Sequence, residues 1–134
     1  MRQVFADTSF YQALLNPADS WHSHAVHFSE QFSETIVTTE QVLTELGALM
    51  SRGHWRQVYV DLILELRADP LTRIVPAASE HFSRGFELFT KRPDKYWSIT
   101  DCISFSIMHQ MKIDTALTCD KHFEQAGFQN VLMD

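Results

Sequence analysis

Four carboxylates in this chain stand at positions where solubility does not call for an acid. Asp7 and Asp120 each follow an apolar stretch with strand-like composition. Asp101 falls in the first turn of an apolar helical segment, and Glu45 borders an apolar helical stripe. If the fold brings these acids together, they form a strongly negative pocket that needs a divalent cation. Oxygen ligands of this kind suit Mg²⁺ or Mn²⁺, and a hard cation indicates phosphate chemistry.

A set of carboxylates can hold one or two such ions against a phosphodiester. One ion polarises a phosphoryl oxygen and lowers the pKa of a bound water, and a second can steady the leaving oxygen. This chemistry requires no covalent nucleophile. The hydroxyls of Thr8 and Ser9, directly after Asp7, could orient that carboxylate or a metal-bound water.

Each acid also has an ordinary structural interpretation. Asp7 and Asp120 could cap the helices that follow them, because a carboxylate accepts hydrogen bonds from the first free N–H groups of a helix. Residues 98–101 (Ser-Ile-Thr-Asp) have the spacing of a capping box, with the serine at the N-cap. Glu45 could be a surface acid at the rim of its helix. The residues alone leave both interpretations open.

The elements that must position these acids alternate between strands and helices. Short apolar or β-branched runs predict strands, and apolar residues at helical spacing predict helices. The strands are expected at 2–6, 35–39, 73–75, 115–118 and 130–132. A first short helix, capped by Thr8 or Ser9, is expected to end near residue 15. The later helices are expected at about 20–32, 40–52, 55–68, 79–90, 99–111 and 120–126. Strands separated by helices pair in parallel, which predicts an α/β fold with helices on both faces of the sheet.

This topology gives two of the acids a reason to meet. In an open parallel sheet, ligands bind beyond the carboxyl ends of the strands, where the winding reverses. Asp7 and Asp120 both lie just past the carboxyl end of an expected strand. We therefore expect them at the same edge of the sheet.

Size and composition are typical of one globular domain, expected over residues 1–134. The net charge of −6 argues against a broad, sequence-independent nucleic-acid surface. This net charge is compatible with an enzyme that contacts a short stretch of RNA. The chain shows neither an apolar run long enough for a membrane span nor an apolar signal segment, so a cytoplasmic protein is expected. Its two cysteines, Cys102 and Cys119, are expected to be reduced core residues.

The chain resembles the PIN-domain family, in particular the VapC-type toxins of toxin–antitoxin modules. The resemblance runs the whole length, in order, and is most specific in its third and fourth segments. The matching segments are 5–9 (FADTS), 42–46 (VLTEL), 97–102 (WSITDC) and 117–123 (LTCDKHF).

The resemblance implies a metal-dependent endoribonuclease on a compact α/β/α sandwich with a mostly parallel sheet. The acids that would line its Mg²⁺ or Mn²⁺ site are Asp7, Glu45, Asp101 and Asp120. Hydroxyls matching Thr8, Ser9 and Thr118 would support them. The resemblance also implies a homodimer, an RNA substrate and an antitoxin protein that blocks the site.

Two other functions compete with this one. A non-catalytic module could use the same fold to bind RNA or a protein, although the intact set of acids weighs against it. A haloacid-dehalogenase-like phosphatase would use Asp7 as a nucleophile. That chemistry normally places a second acid two residues later, where this chain has Ser9.

Several other polar or aromatic groups are given structural interpretations. His24 and His27 share a helix face, where solvent exposure is favoured over zinc binding. His122 could contact phosphate or act as an acid, but a surface position is favoured. Three cations of the charged loop 91–97, Lys91, Arg92 and Lys95, could meet RNA phosphates or simply be solvated. Trp97 could stack on a base, but burial is favoured.

Overall fold

The computed structural model of the chain describes residues 2–132. Within them, the fold is built on a five-stranded sheet. The strands are short, and their apolar, β-branched residues suit a sheet covered on both sides. They are β1 (Gln3–Ala6), β2 (Thr35–Thr39), β3 (Thr72–Val75), β4 (Thr115–Leu117) and β5 (Gln129–Asn130).

Within residues 2–132, seven helices flank the sheet. They are α1 (Thr8–Leu15), α2 (His22–Gln31), α3 (Glu40–Leu49), α4 (Trp55–Ala68), α5 (Ser79–Lys91), α6 (Ile99–Met111) and α7 (His122–Gln125). Local sequence accounts for several of their ends. Asn16 ends α1 because it precedes a proline and adopts an extended conformation. At the start of α3, the Thr39 hydroxyl accepts the Val42 N–H.

All strand pairs are parallel, in the order β3-β2-β1-β4-β5. This confirms the predicted α/β/α sandwich with a parallel sheet. Strand β1 lies at the centre, where Phe5 is paired with Val37 of β2 on one side and with Ala116 of β4 on the other. The chain winds from β1 outward to β3 and then returns to the other side at β4. The winding therefore reverses between β1 and β4.

The core is densest around β1 and α6. Val4, Phe5 and Ala6 have no exposed surface, and seven residues of α6 are buried. Helix α5 packs closely on α6 at Gly85, where an added Cβ would lie 2.4 Å from a side-chain carbon of Ile103. The packing of α6 is therefore set by both the sheet and α5.

Some predicted boundaries were wrong by a few residues. Strand β4 ends at Leu117, and the backbone carbonyl of the next residue, Thr118, accepts the side-chain amide of Asn130 at 2.9 Å. Helix α3 ends at Leu49 rather than near residue 52, and α7 begins only at His122. Strand β5 covers 129–130 rather than 130–132.

None of the helices in residues 2–132 combines the length and apolar character needed to cross a membrane.

Candidate active site

The acids at the carboxyl ends of β1 and β4 are brought together by the central strand pair. The backbone N–H of Asp7 donates to the carbonyl of Leu117 at 3.1 Å, which ties the end of β1 to the end of β4. Asp120 lies three residues after Leu117, in the segment that connects β4 to α7. This is the reversal point of the sheet, where α/β folds bind ligands.

Two hydroxyls hold the Asp7 carboxylate. Ser9 and Thr118 each donate to Asp7 Oδ2 at 3.0 Å, and the two hydroxyl oxygens are 3.0 Å apart. Ser9 Oγ also accepts the N–H of Cys119 at 2.8 Å. Asp7 stands at the N-cap of α1, but its side chain makes no capping hydrogen bond. Capping therefore does not explain this buried acid.

Asp101 has both a capping role and a free oxygen. Ser98 and Asp101 form the predicted capping box, in which Asp101 Oδ2 accepts the Ser98 N–H at 3.0 Å. The same oxygen lies 2.9 Å from Nδ1 of His122. No hydrogen bond from any of residues 2–132 reaches the other oxygen, Oδ1, so the capping box leaves it available to a ligand.

Asp120 is linked to Asp101 through His122. Asp120 Oδ1 accepts the backbone N–H of His122 at 2.9 Å and lies 3.9 Å from its imidazole Nδ1. One potential ligand atom from each of Asp101, Asp120 and His122 lies within 4.8 Å of the other two. The loop 118–122 thus places a carboxylate and an imidazole beside the first turn of α6.

Burial and neighbouring negative charges disfavour the anionic forms of Asp7 and Asp101. Burial, followed by the charges of Asp120 and Asp101, raises the pKa of Asp7 from its ordinary value of 3.8 to about 7. Hydrogen bonds from the Thr8 backbone and the Ser9 hydroxyl partly oppose this rise. Burial also raises the pKa of Asp101, with a smaller contribution from Asp120. The Ser98 N–H and His122 oppose that rise. A divalent cation would relieve this repulsion.

The remaining predicted site residues fall into two groups. Ser9 and Thr118 contact Asp7 directly, whereas Thr8 is buried with a hydroxyl that has no hydrogen-bond partner among the residues described. Glu45 is half-buried on α3, and among the residues described it is not part of the group formed by Asp101, Asp120 and His122. Its place in the site therefore rests on the resemblance.

His122 lies only partly at the surface. Its side chain is about one third exposed, and it bridges Asp101 and the loop of Asp120. In the sequence, only the position of His122 two residues after Asp120 indicates a place near the acids. Its contact with Asp101 depends on the tertiary fold. By contrast, Trp97 is buried as predicted, and both cysteines are free thiols. Burial raises the pKa of Cys102 to about 11 and of Cys119 to about 12.

The PIN domain family model matches residues 4–129. The 23S rRNA-specific endonuclease VapC20 of Mycobacterium tuberculosis is 28% identical over 130 residues, which cover 96% of this chain and 97% of that protein.

Two crystal structures share the fold. That of Mycobacterium tuberculosis VapC20, a sarcin-ricin loop cleaving toxin, has a TM-score of 0.85 and 26% identity, covering 93% of this chain and 95% of that one. FitAcB from Neisseria gonorrhoeae has a TM-score of 0.66 and 19% identity, covering 95% of both chains. The second likeness concerns the fold alone.

Proposed function

The chain belongs to the PIN domain family, and from this premise we propose that it is a metal-dependent endoribonuclease, the toxin of a type II toxin–antitoxin module. The proposal treats residues 1–134 as one nuclease domain that acts in the cytoplasm. The observation that carries it is the convergence of Asp7, Asp101 and Asp120 where the sheet reverses its winding.

The residues at this point fit a hard divalent cation. Three carboxylates converge here, and the charges of Asp101 and Asp120 disfavour the anion of Asp7. The residue after Asp7, Thr8, has a buried hydroxyl without a partner in the described chain. Mg²⁺ and Mn²⁺ prefer such ligands. When bound, the ion supplies Lewis-acid polarisation of the phosphodiester and makes water more acidic.

The chain's own residues would divide the remaining work. Asp7, Asp101 and Asp120 would hold the ion, directly or through water. Ser9 and Thr118 fix the orientation of Asp7 through its Oδ2 atom. Glu45 would complete the cage or position the attacking water. The hydrogen-bonded carboxylates are pre-organised, so little rearrangement is needed when the ion binds.

RNA is the proposed substrate. The relative VapC20 is a 23S rRNA-specific endonuclease, and its alignment with this chain covers nearly the full length of both. Ribosomal RNA is therefore the first substrate to test here. A short contact suffices, which is compatible with a protein whose net charge is −6.

Two protein partners belong to the proposal. An antitoxin would block the acidic site, and a second copy of the chain would form a homodimer. Exposed aromatic side chains on α5 support the second copy: Phe82 and Phe86 stack at 6.2 Å, and Phe89 is also exposed. Such a row of apolar surface is suited to burial against another chain.

The decisive experiment is cleavage by the purified chain, free of any inhibitor. We expect it to cut ribosomal RNA with Mn²⁺ or Mg²⁺ and to lose that activity with EDTA. The Asp101→Asn variant should bind no metal and cut no RNA while keeping its fold. If the wild-type chain cuts no RNA with either ion, and Asp101→Asn leaves metal binding unchanged, the chain is a binding module instead.

A further inference from the structure

Tyr96 is almost entirely in solvent. It is 93% exposed, more than any other large apolar or aromatic side chain among those described. A tyrosine in this position gains no burial energy, and folding gives no reason to place it there. An exposed aromatic ring is, however, a suitable platform for a nucleic-acid base.

The backbone on either side of Tyr96 is fixed. Trp97 is buried, packs edge-to-face against Phe105 at 5.1 Å and donates its indole N–H to Gln125 at 3.2 Å. On the other side, the N–H of Lys95 donates to the carbonyl of Arg92 at 3.1 Å. The ring of Tyr96 is thus presented from a held segment, which lowers the entropy lost when a ligand binds.

This segment leads directly into the acidic site. Ser98, two residues after Tyr96, donates its N–H to the Asp101 carboxylate at 3.0 Å. Consecutive Cα atoms are about 3.8 Å apart, so the Cα of Tyr96 lies within about 8 Å of that of Ser98. The backbone that carries the Tyr96 ring therefore lies beside the first turn of α6, which holds Asp101.

The charge beside Tyr96 also suits RNA. Residues 91–95 carry three cations and one acid, in a chain whose net charge is −6. Lys91 is paired with Glu87, and Arg92 with Asp94. Lys95 forms no ion pair within the described part of the chain. Its ammonium group is therefore available to a phosphate oxygen.

We propose that Tyr96 stacks on the base of a nucleotide flanking the scissile phosphate, while Lys95 contacts that nucleotide's phosphate. This assignment rests on the proposed ribonuclease function and gives that site its substrate-positioning element. Stacking tolerates any base, so Tyr96 sets the position of the RNA rather than its sequence.

The test combines Tyr96 variants with abasic RNA. In steady-state cleavage of one ribosomal RNA oligonucleotide, Tyr96→Ala should raise KM roughly 5- to 100-fold and change kcat little. Tyr96→Phe keeps the ring and should behave as the wild type. Leu64→Ala, at another exposed apolar side chain, is the matched control and should have no effect.

Abasic substitutions identify the stacked base. At one position beside the cleaved bond, removing the base should raise KM for the wild type but not for Tyr96→Ala, because the contact is already lost. Equal KM values for Tyr96→Ala and the wild type would overturn the inference while leaving the ribonuclease proposal intact. A changed oligomeric mass of Tyr96→Ala, with its abasic penalty undiminished, would instead assign Tyr96 to a protein interface. Absence of any wild-type cleavage would reject both proposals together.

Discussion

The imidazole of His122 lies 2.9 Å from the carboxylate of Asp101, across 21 residues of sequence. The same residue donates its backbone N–H to Asp120. One histidine therefore sets the spacing between two acids that come from different elements. Carboxylates that hold a metal commonly depend on such neighbours for their orientation.

Removing this imidazole should weaken metal binding without unfolding the chain. We expect His122→Ala to lower Mn²⁺ affinity about 10- to 100-fold, the usual cost of losing an orienting partner. Cleavage should recover partly at higher Mn²⁺ concentration, which loss of a directly reacting group would not allow. Calorimetric titration with Mn²⁺ and cleavage over a range of metal concentrations would measure both effects. His27→Ala, at an exposed histidine of α2, is the control and should match the wild type.

The metal-free chain should become less stable as the pH rises from about 4 to about 7. The folded state raises the pKa of Asp7 to about 7, so it binds this proton more tightly than the unfolded chain does. The free energy of unfolding then falls through that interval by up to about 4 kcal/mol and stays low above it. Denaturant melts in EDTA between pH 4 and 8 would measure the fall.

Asp7→Asn provides the control for this pH effect, because an amide does not titrate. Its stability should vary much less over the same interval, and at pH 8 in EDTA it should exceed that of the wild type. Saturating Mn²⁺ should stabilise the wild type at pH 8, by about 2.7 kcal/mol at a hundred times the Kd. A wild-type stability that rises between pH 4 and 7 would contradict this account.

Local sequence patterns predict much of this fold, but they predict only part of the candidate site. The strand around Val37 and the capping box at Ser98 are local patterns, and the structure has both where the sequence predicts them. Alternation of strands and helices also predicts parallel pairing, which brings the ends of β1 and β4 together. Asp7 and Asp120 follow from this rule.

The sequence-based predictions fail where tertiary contacts override the local conformational preference of a residue. Thr118 has a β-branched side chain that is typical of a strand, but it lies just beyond β4, where its hydroxyl donates a hydrogen bond to the buried Asp7. The contact of His122 with Asp101 has no local pattern that could predict it. Exposure of Tyr96 depends likewise on how the loop after α5 packs around Trp97.

Glu45 offers a test of function separated from stability. Since no ion pair within residues 2–132 involves Glu45, Glu45→Gln should leave the melting temperature within about 2 °C of the wild type. If it completes the metal cage, cleavage should nevertheless fall at least about 10-fold. Thermal melts and initial cleavage rates of Glu45→Gln would provide both values. Glu65→Gln, on α4, is the control; unchanged cleavage by Glu45→Gln would remove this acid from the proposed site.

Gly85→Ala should destabilise the chain because α5 and α6 approach closely at this residue. An added Cβ would lie 2.4 Å from the Ile103 side chain and 2.9 Å from its backbone nitrogen. Moving the Ile103 side chain alone cannot relieve the second contact, so α5 must shift away from the helix that carries Asp101. Overpacking of this kind costs about 1–3 kcal/mol.

Urea denaturation of Gly85→Ala would measure that loss, with Ser83→Ala at an exposed position of the same helix as the control. Alanine favours a helix by up to about 1 kcal/mol over glycine, so a well-accommodated methyl group would stabilise the chain. A stability above that of the wild type would therefore contradict the close packing of these helices. Because α6 begins with the capping box of Asp101, we also expect Gly85→Ala to weaken Mn²⁺ binding, whereas Ser83→Ala should leave it unchanged.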